Sequence, residues 1–196
     1  MISVIKMKAI LLDGVRTDSI GYTQALQDLQ NLSAEKGIEV CHIRLKDELI
    51  QGCTGCGKCI KAGKCLYNEQ ANTVSEAMKT ADALIIAASV YYGGLDSRMK
   101  CLLDCLFHSA PLAMANKPAG SLLICRSKVQ NGWMNLLPYY AEADMIYITD
   151  QFHGEISESS YTEENRKTVA HLVQMTVSLH GAAEADLPER RMHFVR

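Results

Sequence analysis

Four cysteines in a short glycine-rich segment are the residues of this chain best suited to chemistry. They follow a C-x2-C-x2-C-x5-C spacing at Cys53, Cys56, Cys59 and Cys65. Four thiolates in one loop can hold an iron–sulfur cluster or a tetrahedral zinc ion. The close spacing favours a cluster over zinc, and free or disulfide-capable thiols are a third interpretation. Free cysteine is often a small core residue, which predicts a packing role for Cys41, Cys101, Cys105 and Cys125.

A polar loop after the first apolar run contains a second set of candidate residues. Arg16, Ser19 and Thr23 precede or open a helical pattern. A cation, hydroxyls and a helix N-terminus together suit a phosphate group. Asp13 and Asp18 in the same loop would repel a phosphate. The alternative interpretation is a polar loop whose hydroxyl caps the helix.

A third candidate region follows the most apolar run of the chain. Val90 is followed there by Tyr91, Tyr92, Gly93 and Gly94. A flat ring can stack on a tyrosine while a glycine backbone approaches it closely. A turn with packed tyrosines is the competing interpretation. Together with a phosphate-type first loop, this region favours flavin mononucleotide (FMN) as the ligand.

Alternating strand and helix patterns position these loops. Asp96 and the sequence Thr73-Val-Ser-Glu76 are typical helix starts, and Gly181 is a typical stop for the last helix. The alternation predicts an α/β protein with a flavodoxin-like open parallel five-stranded sheet of order 2-1-3-4-5 and helices on both faces. Ligands of such sheets bind beyond the carboxyl ends of the strands. The strands are predicted at 7–12, 38–45, 83–88, 118–125 and 145–149.

Composition narrows the class of protein further. The chain has 196 residues and a net charge of -2, so it lacks the basic balance typical of nucleic-acid binders. We find no apolar run of membrane-spanning length and no signal peptide, which predicts a cytoplasmic protein without a membrane partner. The expected domain covers 1–181, with a cysteine-rich insertion at about 46–72 and a tail at 182–196.

Taken together, these motifs resemble those of the flavodoxin-like NAD(P)H-dependent FMN reductase and iron–sulfur flavoprotein families. The resemblance extends over nearly the whole chain. Apart from the cysteine motif, it rests on Gly21-Tyr22-Thr23, Ser89-Val90-Tyr91-Tyr92-Gly93, Lys100-x3-Asp104, Lys117-Pro118-Ala119 and Arg126.

The resemblance implies a set of cofactors and site residues. FMN would lie with its phosphate near Arg16, Ser19 and Thr23, and with its isoalloxazine between the segment Val90–Gly94 and the pair Arg126 and Ser127. In the iron–sulfur members, cysteines spaced as here ligate a four-iron, four-sulfur cluster. The resemblance also implies homodimers or homotetramers, to which the apolar face of the helix after Asp96, Trp133 and the tail are candidate contributors.

The implied activity is electron transfer from NAD(P)H through FMN to a quinone, a flavin, a metal or a protein. We name no catalytic side chain, because the cofactor carries the hydride chemistry. One alternative is an electron carrier that binds FMN and a cluster but takes electrons from a ferredoxin-like partner without nicotinamide. Another is a binding protein that has lost FMN. Two departures from the family pattern are the first loop, with Asp13-Gly14-Val15-Arg16 and Tyr22, and the segment Tyr67–Gln70.

Overall fold

A computed structural model describes residues 7–45, 49–125, 132–147 and 154–184. Its strands are β1 (Met7–Asp13), β2 (Ile38–Arg44), β3 (Ala83–Tyr91), β4 (Gly94–Leu95), β5 (Pro118–Cys125), β6 (Ile146–Tyr147) and β7 (Gly154–Ser157). Its α-helices are α1 (Ile20–Glu35), α2 (Cys59–Ala62), α3 (Glu69–Met78), α4 (Ser97–Ser109), α5 (Leu137–Glu142) and α6 (Glu163–Glu184).

The strands form one sheet whose main path runs β2-β1-β3-β5-β6, with every pair on that path parallel. Leaving out the short β4, which pairs antiparallel with β3, this is the predicted flavodoxin-like order. The expected count of five strands is wrong, because the sheet has seven. The last position is shared by two short strands. β6 pairs with the start of β5, whereas β7 pairs with Leu122–Cys125 at its end.

Helices cover both faces of this sheet, as predicted. Side chains of α3, α4 and α5 pack on one face. Those of α1 and α6 pack on the other. β5 is buried at every position and β3 at every position before Tyr91. Continuous burial explains why these strands read as unbroken apolar runs rather than as alternating ones.

Two predicted helix boundaries are wrong and one is confirmed. The helix expected to open at Thr73 begins four residues earlier, because the Asn68 side chain accepts a hydrogen bond from the Ala71 amide and caps α3 there. The Thr73 hydroxyl instead donates a hydrogen bond to the Glu69 carbonyl inside the helix. The last helix continues through Gly181. Asp96 caps α4 as predicted, accepting from the amides of the following turn.

None of the helices in the described ranges is long and apolar enough to cross a membrane.

Candidate flavin site

The predicted site lies at the carboxyl edge of the sheet, where β1, β3 and β5 end at Asp13, Tyr91 and Cys125. The loops that follow the first two strands are described. Arg126 and Ser127, expected on the far side of the flavin ring, lie outside the described residues. The described part of the site consists of the loops after β1 and β3 and the segment after β7.

A buried carboxylate marks the end of β1. Asp13 is inaccessible to solvent, and its Oδ2 accepts hydrogen bonds from the Tyr22 hydroxyl at 2.5 Å and from His42 Nε2 at 2.8 Å. Its Oδ1 accepts from the amide of Val15 at 2.9 Å. Arg44 Nε lies 4.0 Å from the same carboxylate. Sequence reasoning missed this cluster, because β2 supplies the histidine and the arginine and only the pairing of β1 with β2 brings them beside Asp13.

The cluster holds Asp13 in its charged form. Burial by itself would raise the pKa of the carboxyl group, but the hydrogen bonds from His42, Tyr22 and Val15 outweigh it and lower the pKa below its usual value. Burial, followed by the bond to Asp13, raises the pKa of the Tyr22 phenol far above its ordinary value. Tyr22 therefore stays protonated and acts as a donor.

The first turn of α1 forms the other side of this loop. Ser19 is its N-cap, with the hydroxyl accepting from the Tyr22 amide at 3.4 Å. Arg16 and Thr23 are exposed beside it. The Gly21 amide donates to the Glu158 carbonyl at 3.3 Å.

Glycine is required at position 21, because a Cβ there would lie 1.9 Å from the Ser157 carbonyl oxygen. The segment after β7 thus fills the space beside Gly21. A phosphate here would meet Arg16 and the Ser19 hydroxyl rather than the Gly21 amide.

The turn between β3 and β4 presents an aromatic ring to solvent. Tyr92 and Gly93 have φ values of 53° and 79°, and the flanking pair Tyr91 and Gly94 are in register. A two-residue hairpin with two positive φ angles is a type I′ turn. The side chain of Asn135 donates to the Gly93 carbonyl at 2.9 Å and braces the turn. The expectation of a turn is confirmed, and the packed-tyrosine alternative fails for Tyr92, which is fully exposed.

A non-glycine residue at positive φ is uncommon and is found mainly where the surrounding structure enforces it, often at ligand sites. Ser89 lies two residues before the turn on β3. It is completely buried, and its hydroxyl has no hydrogen-bond partner among the described residues. A buried hydroxyl without a partner is costly, so a polar ligand atom would be favourable there. The exposed Tyr92 and the unsatisfied Ser89 fit a flavin, with the ring at the turn.

The four motif cysteines occupy different surroundings. Cys53 and Cys56 are exposed, Cys65 is half-buried, and Cys59 is buried with its thiol 3.8 Å from the His108 carbonyl of α4. Within the described ranges, no three Cys, His, Asp or Glu side chains are grouped so that they could hold a metal ion. The chain thus supplies the expected thiols without a preformed metal cage.

The exposed Cys56 lies in a distinctive turn. A hydrogen bond from the Lys58 amide, with a contribution from the Thr54 hydroxyl, lowers the pKa of its thiol. The flanking Gly55 and Gly57 both have positive φ, which lets the backbone fold tightly around the sulfur. A lowered pKa raises the thiolate fraction, the form in which cysteine binds metals and acts as a nucleophile.

An open parallel sheet with helices on both faces and a ligand edge at its carboxyl ends defines a flavodoxin-like α/β protein. The chain belongs to the NADPH-dependent FMN reductase family, whose sequence profile matches residues 7–159. The family resemblance inferred from the sequence motifs is thereby confirmed.

Among curated proteins, the chain is similar to an iron–sulfur flavoprotein of Methanocaldococcus jannaschii, with 32% identity over 62% of this chain and 64% of that protein. A second protein of that description, from Methanosarcina thermophila, is 28% identical over 50% of this chain. The matched segments span less than two thirds of the length of these relatives.

Among solved structures, an apo NADH:FMN oxidoreductase superposes with a TM-score of 0.64 at 18% identity, covering 90% of this chain and 89% of that one. At this identity the likeness concerns the fold.

Proposed function

We propose that this protein is an FMN-dependent oxidoreductase that passes electrons from NAD(P)H through FMN to a quinone, a flavin, a metal or a protein. Its family membership supports an FMN-dependent redox role. The observation that carries the assignment to this site is the exposed Tyr92 in the strained turn after β3, three residues beyond the unsatisfied Ser89. Both lie at the carboxyl edge of the sheet, where ligands of this fold bind.

FMN, when bound, supplies a ring that accepts hydride and releases electrons one or two at a time. The chain has to hold and orient that ring. Tyr92 offers an aromatic face, and the bond from Asn135 to the Gly93 carbonyl fixes the turn. Arg16 and the Ser19 hydroxyl are available to the phosphate from the opposite loop. We assign no acid or base to the hydride step.

Anaerobic flavin titration followed by mixing with NADH or NADPH tests this proposal. Protein loaded with FMN should bleach in the flavin absorption bands when either nicotinamide is added. The matched control is the Tyr92→Ala variant at the same total FMN concentration, which should bind less flavin. Absence of FMN binding by the wild-type protein would contradict the proposal as a whole.

An iron–sulfur flavoprotein acting as an electron carrier is a second candidate. Two observations favour it: the spacing of the four motif cysteines and the printed descriptions of the curated relatives. This candidate requires iron and acid-labile sulfide in anaerobically purified protein. It also requires that a reduced ferredoxin bleaches the flavin and that nicotinamides do not. Reduction by NAD(P)H in iron-free protein would exclude it.

A further inference from the structure

The side chain of Asn135 joins two segments that follow neighbouring strands of the sheet. Its Nδ2 donates to the Gly93 carbonyl at 2.9 Å, in the turn between β3 and β4, and to the Gly132 carbonyl at 3.0 Å. Gly132 is the first residue described after the end of β5. A side-chain amide has two N–H donors, so this one group supplies both bonds and links the turn to the chain that follows β5.

The same two segments also meet through close packing. Gly132 is buried, and a Cβ there would lie 2.7 Å and 3.1 Å from the two methyl carbons of Val90. Val90 is buried near the end of β3, two residues before Tyr92, and its branched side chain is stiff and has no long end that could move aside. Glycine at position 132 therefore allows the backbone after β5 to lie directly against the end of β3.

The turn held in this way has a backbone conformation that residues other than glycine seldom adopt. Tyr92 has a φ of 53°, and such a residue persists where the surrounding structure enforces it. The Tyr92 ring is fully exposed, so the backbone of the turn, rather than packing, sets its direction. Because Asn135 holds the carbonyl of the next residue, Gly93, it opposes relaxation of the turn.

We propose that Asn135 is a positioning residue for the flavin ring and that it acts through Tyr92, by keeping the turn in the conformation that presents the tyrosine ring. This inference rests on the proposed function and deepens it, because it names the residue that holds the ring end of the site. Asn135 takes no part in electron transfer. The phosphate end should not depend on it, because Arg16 and Ser19 follow β1, which lies on the opposite side of β3 from β5.

Flavin binding by the full-length protein separates the two ends of the site. The probes are FMN and riboflavin, which share the ring and differ in the phosphate, and fluorescence titration measures both affinities. Asn135→Ala should weaken both by the same factor, up to about tenfold, the loss expected when the Tyr92 contact itself is removed. Arg16→Gln should weaken FMN binding alone, because riboflavin has no phosphate for the guanidinium to meet.

A double-mutant cycle tests whether Asn135 acts through Tyr92. Tyr92→Ala removes the ring that Asn135 positions, so a second change at Asn135 should cause little further loss of affinity. The double variant Tyr92→Ala with Asn135→Ala should bind FMN about tenfold more weakly than the wild type, as Tyr92→Ala alone does. A residue that merely stabilises the domain would not show this dependence on Tyr92.

Asn72→Ala is the matched control. The Asn72 side chain also makes two hydrogen bonds to backbone, with the amide and carbonyl of Cys65 at 2.9 Å and 2.8 Å, but it does so in the cysteine-rich insertion. This variant should bind both flavins normally. Hydrogen exchange in ligand-free protein supplies a second measurement, because the amides of residues 91–94 should exchange faster in Asn135→Ala and at the wild-type rate in Asn72→Ala.

Gly132→Ala tests the same junction if Asn135→Ala does not fold. Its added methyl group would displace Val90, so it should also weaken both flavins equally. Equal binding of FMN by wild type and Asn135→Ala, additive losses in the double variant, or unchanged riboflavin binding in Asn135→Ala would each overturn this inference alone. Wild-type protein that binds neither flavin would overturn the proposed function and this inference together.

Discussion

The Tyr22 hydroxyl donates a 2.5 Å hydrogen bond to the buried carboxylate of Asp13, and so ties the first turn of α1 to the end of β1. The loop between these residues is the one expected to meet a flavin phosphate. Its ends are thus fixed by a charge-assisted bond in the interior rather than by a ligand. His42 of β2 forms a further hydrogen bond to the same carboxylate.

Replacing Tyr22 by Phe should therefore lower the free energy of unfolding by about 1.5–3 kcal/mol, the usual range for a hydrogen bond to a charged group. Urea denaturation at neutral pH measures the change. Tyr161→Phe is the control, because Tyr161 donates to Asp28 at 2.8 Å in a less buried setting, and its loss should be smaller. Equal losses in the two variants would show that burial of the Asp13 pair adds nothing.

The contribution of Asp13 to the free energy of unfolding should depend on pH. Its folded-state pKa is below the ordinary value of 3.8, so the contribution is fully present above that pH and is lost as the pH falls through the folded-state pKa. The difference in unfolding free energy between wild type and Asp13→Asn should be largest near neutral pH and should shrink below about pH 4. A difference independent of pH would mean that packing alone explains it.

The flavin ring prediction rests on Tyr92. Gly93→Val would strain a backbone with φ of 79° as well as obstruct a ring, so it cannot separate the two effects. Tyr92→Ala removes an exposed ring without disturbing the core. It should weaken FMN binding about tenfold, the equivalent of one aromatic stacking contact. Fluorescence titration measures the affinity. The control is Tyr67→Ala, which removes an exposed tyrosine from the cysteine-rich insertion (46–72) and should leave FMN binding unchanged.

The cluster hypothesis gives a separate prediction about iron. If the motif cysteines hold a cluster, Cys56→Ala should remove most of the iron and sulfide and loosen the cysteine segment while the sheet stays folded. Cys101→Ala should keep both. Iron, sulfide and zinc are measured per chain after anaerobic preparation. Zinc in place of iron would indicate a structural site, and metal-free wild-type protein would leave the cysteines as thiols.

Self-association remains a prediction, but the structure points to a different contact surface from the one expected from the sequence. The apolar residues of α4, including Met99 and Leu102, are fully buried in the core of the chain itself, and Trp133 packs against that core. Leu49 and Ile60 of the cysteine-rich insertion are instead 97% and 82% exposed. Light scattering at micromolar concentration should show a dimer or tetramer, and Ile60→Glu should shift it toward the monomer. A wild-type species of only 21.6 kDa would contradict this.

Local patterns were sufficient for much of the fold and for part of the site. β3 and β5 were predicted because strands buried on both faces need continuous apolar sequence, and the α4 cap because Asp96 binds amides within its own turn. The turn at Tyr92 and Gly93 was predictable for the same reason, since two adjacent residues carry its geometry. The start of α3 was missed because two residues of a type that caps helices, Asn68 and Thr73, lie within two turns of each other, and only Asn68 acts as the cap.

Tertiary structure alone decided the contacts between distant segments. Asp13 and His42 are 29 residues apart and meet only because β1 and β2 are paired in register. The Cys59 thiol lies 3.8 Å from the His108 carbonyl because the cysteine-rich insertion folds back on α4, which no periodicity of either segment encodes. The sequence by itself determined which side chains were available, because residue type is local. Which of them act together depended on strand pairing and helix packing, because those interactions join residues whose spacing in the chain is arbitrary.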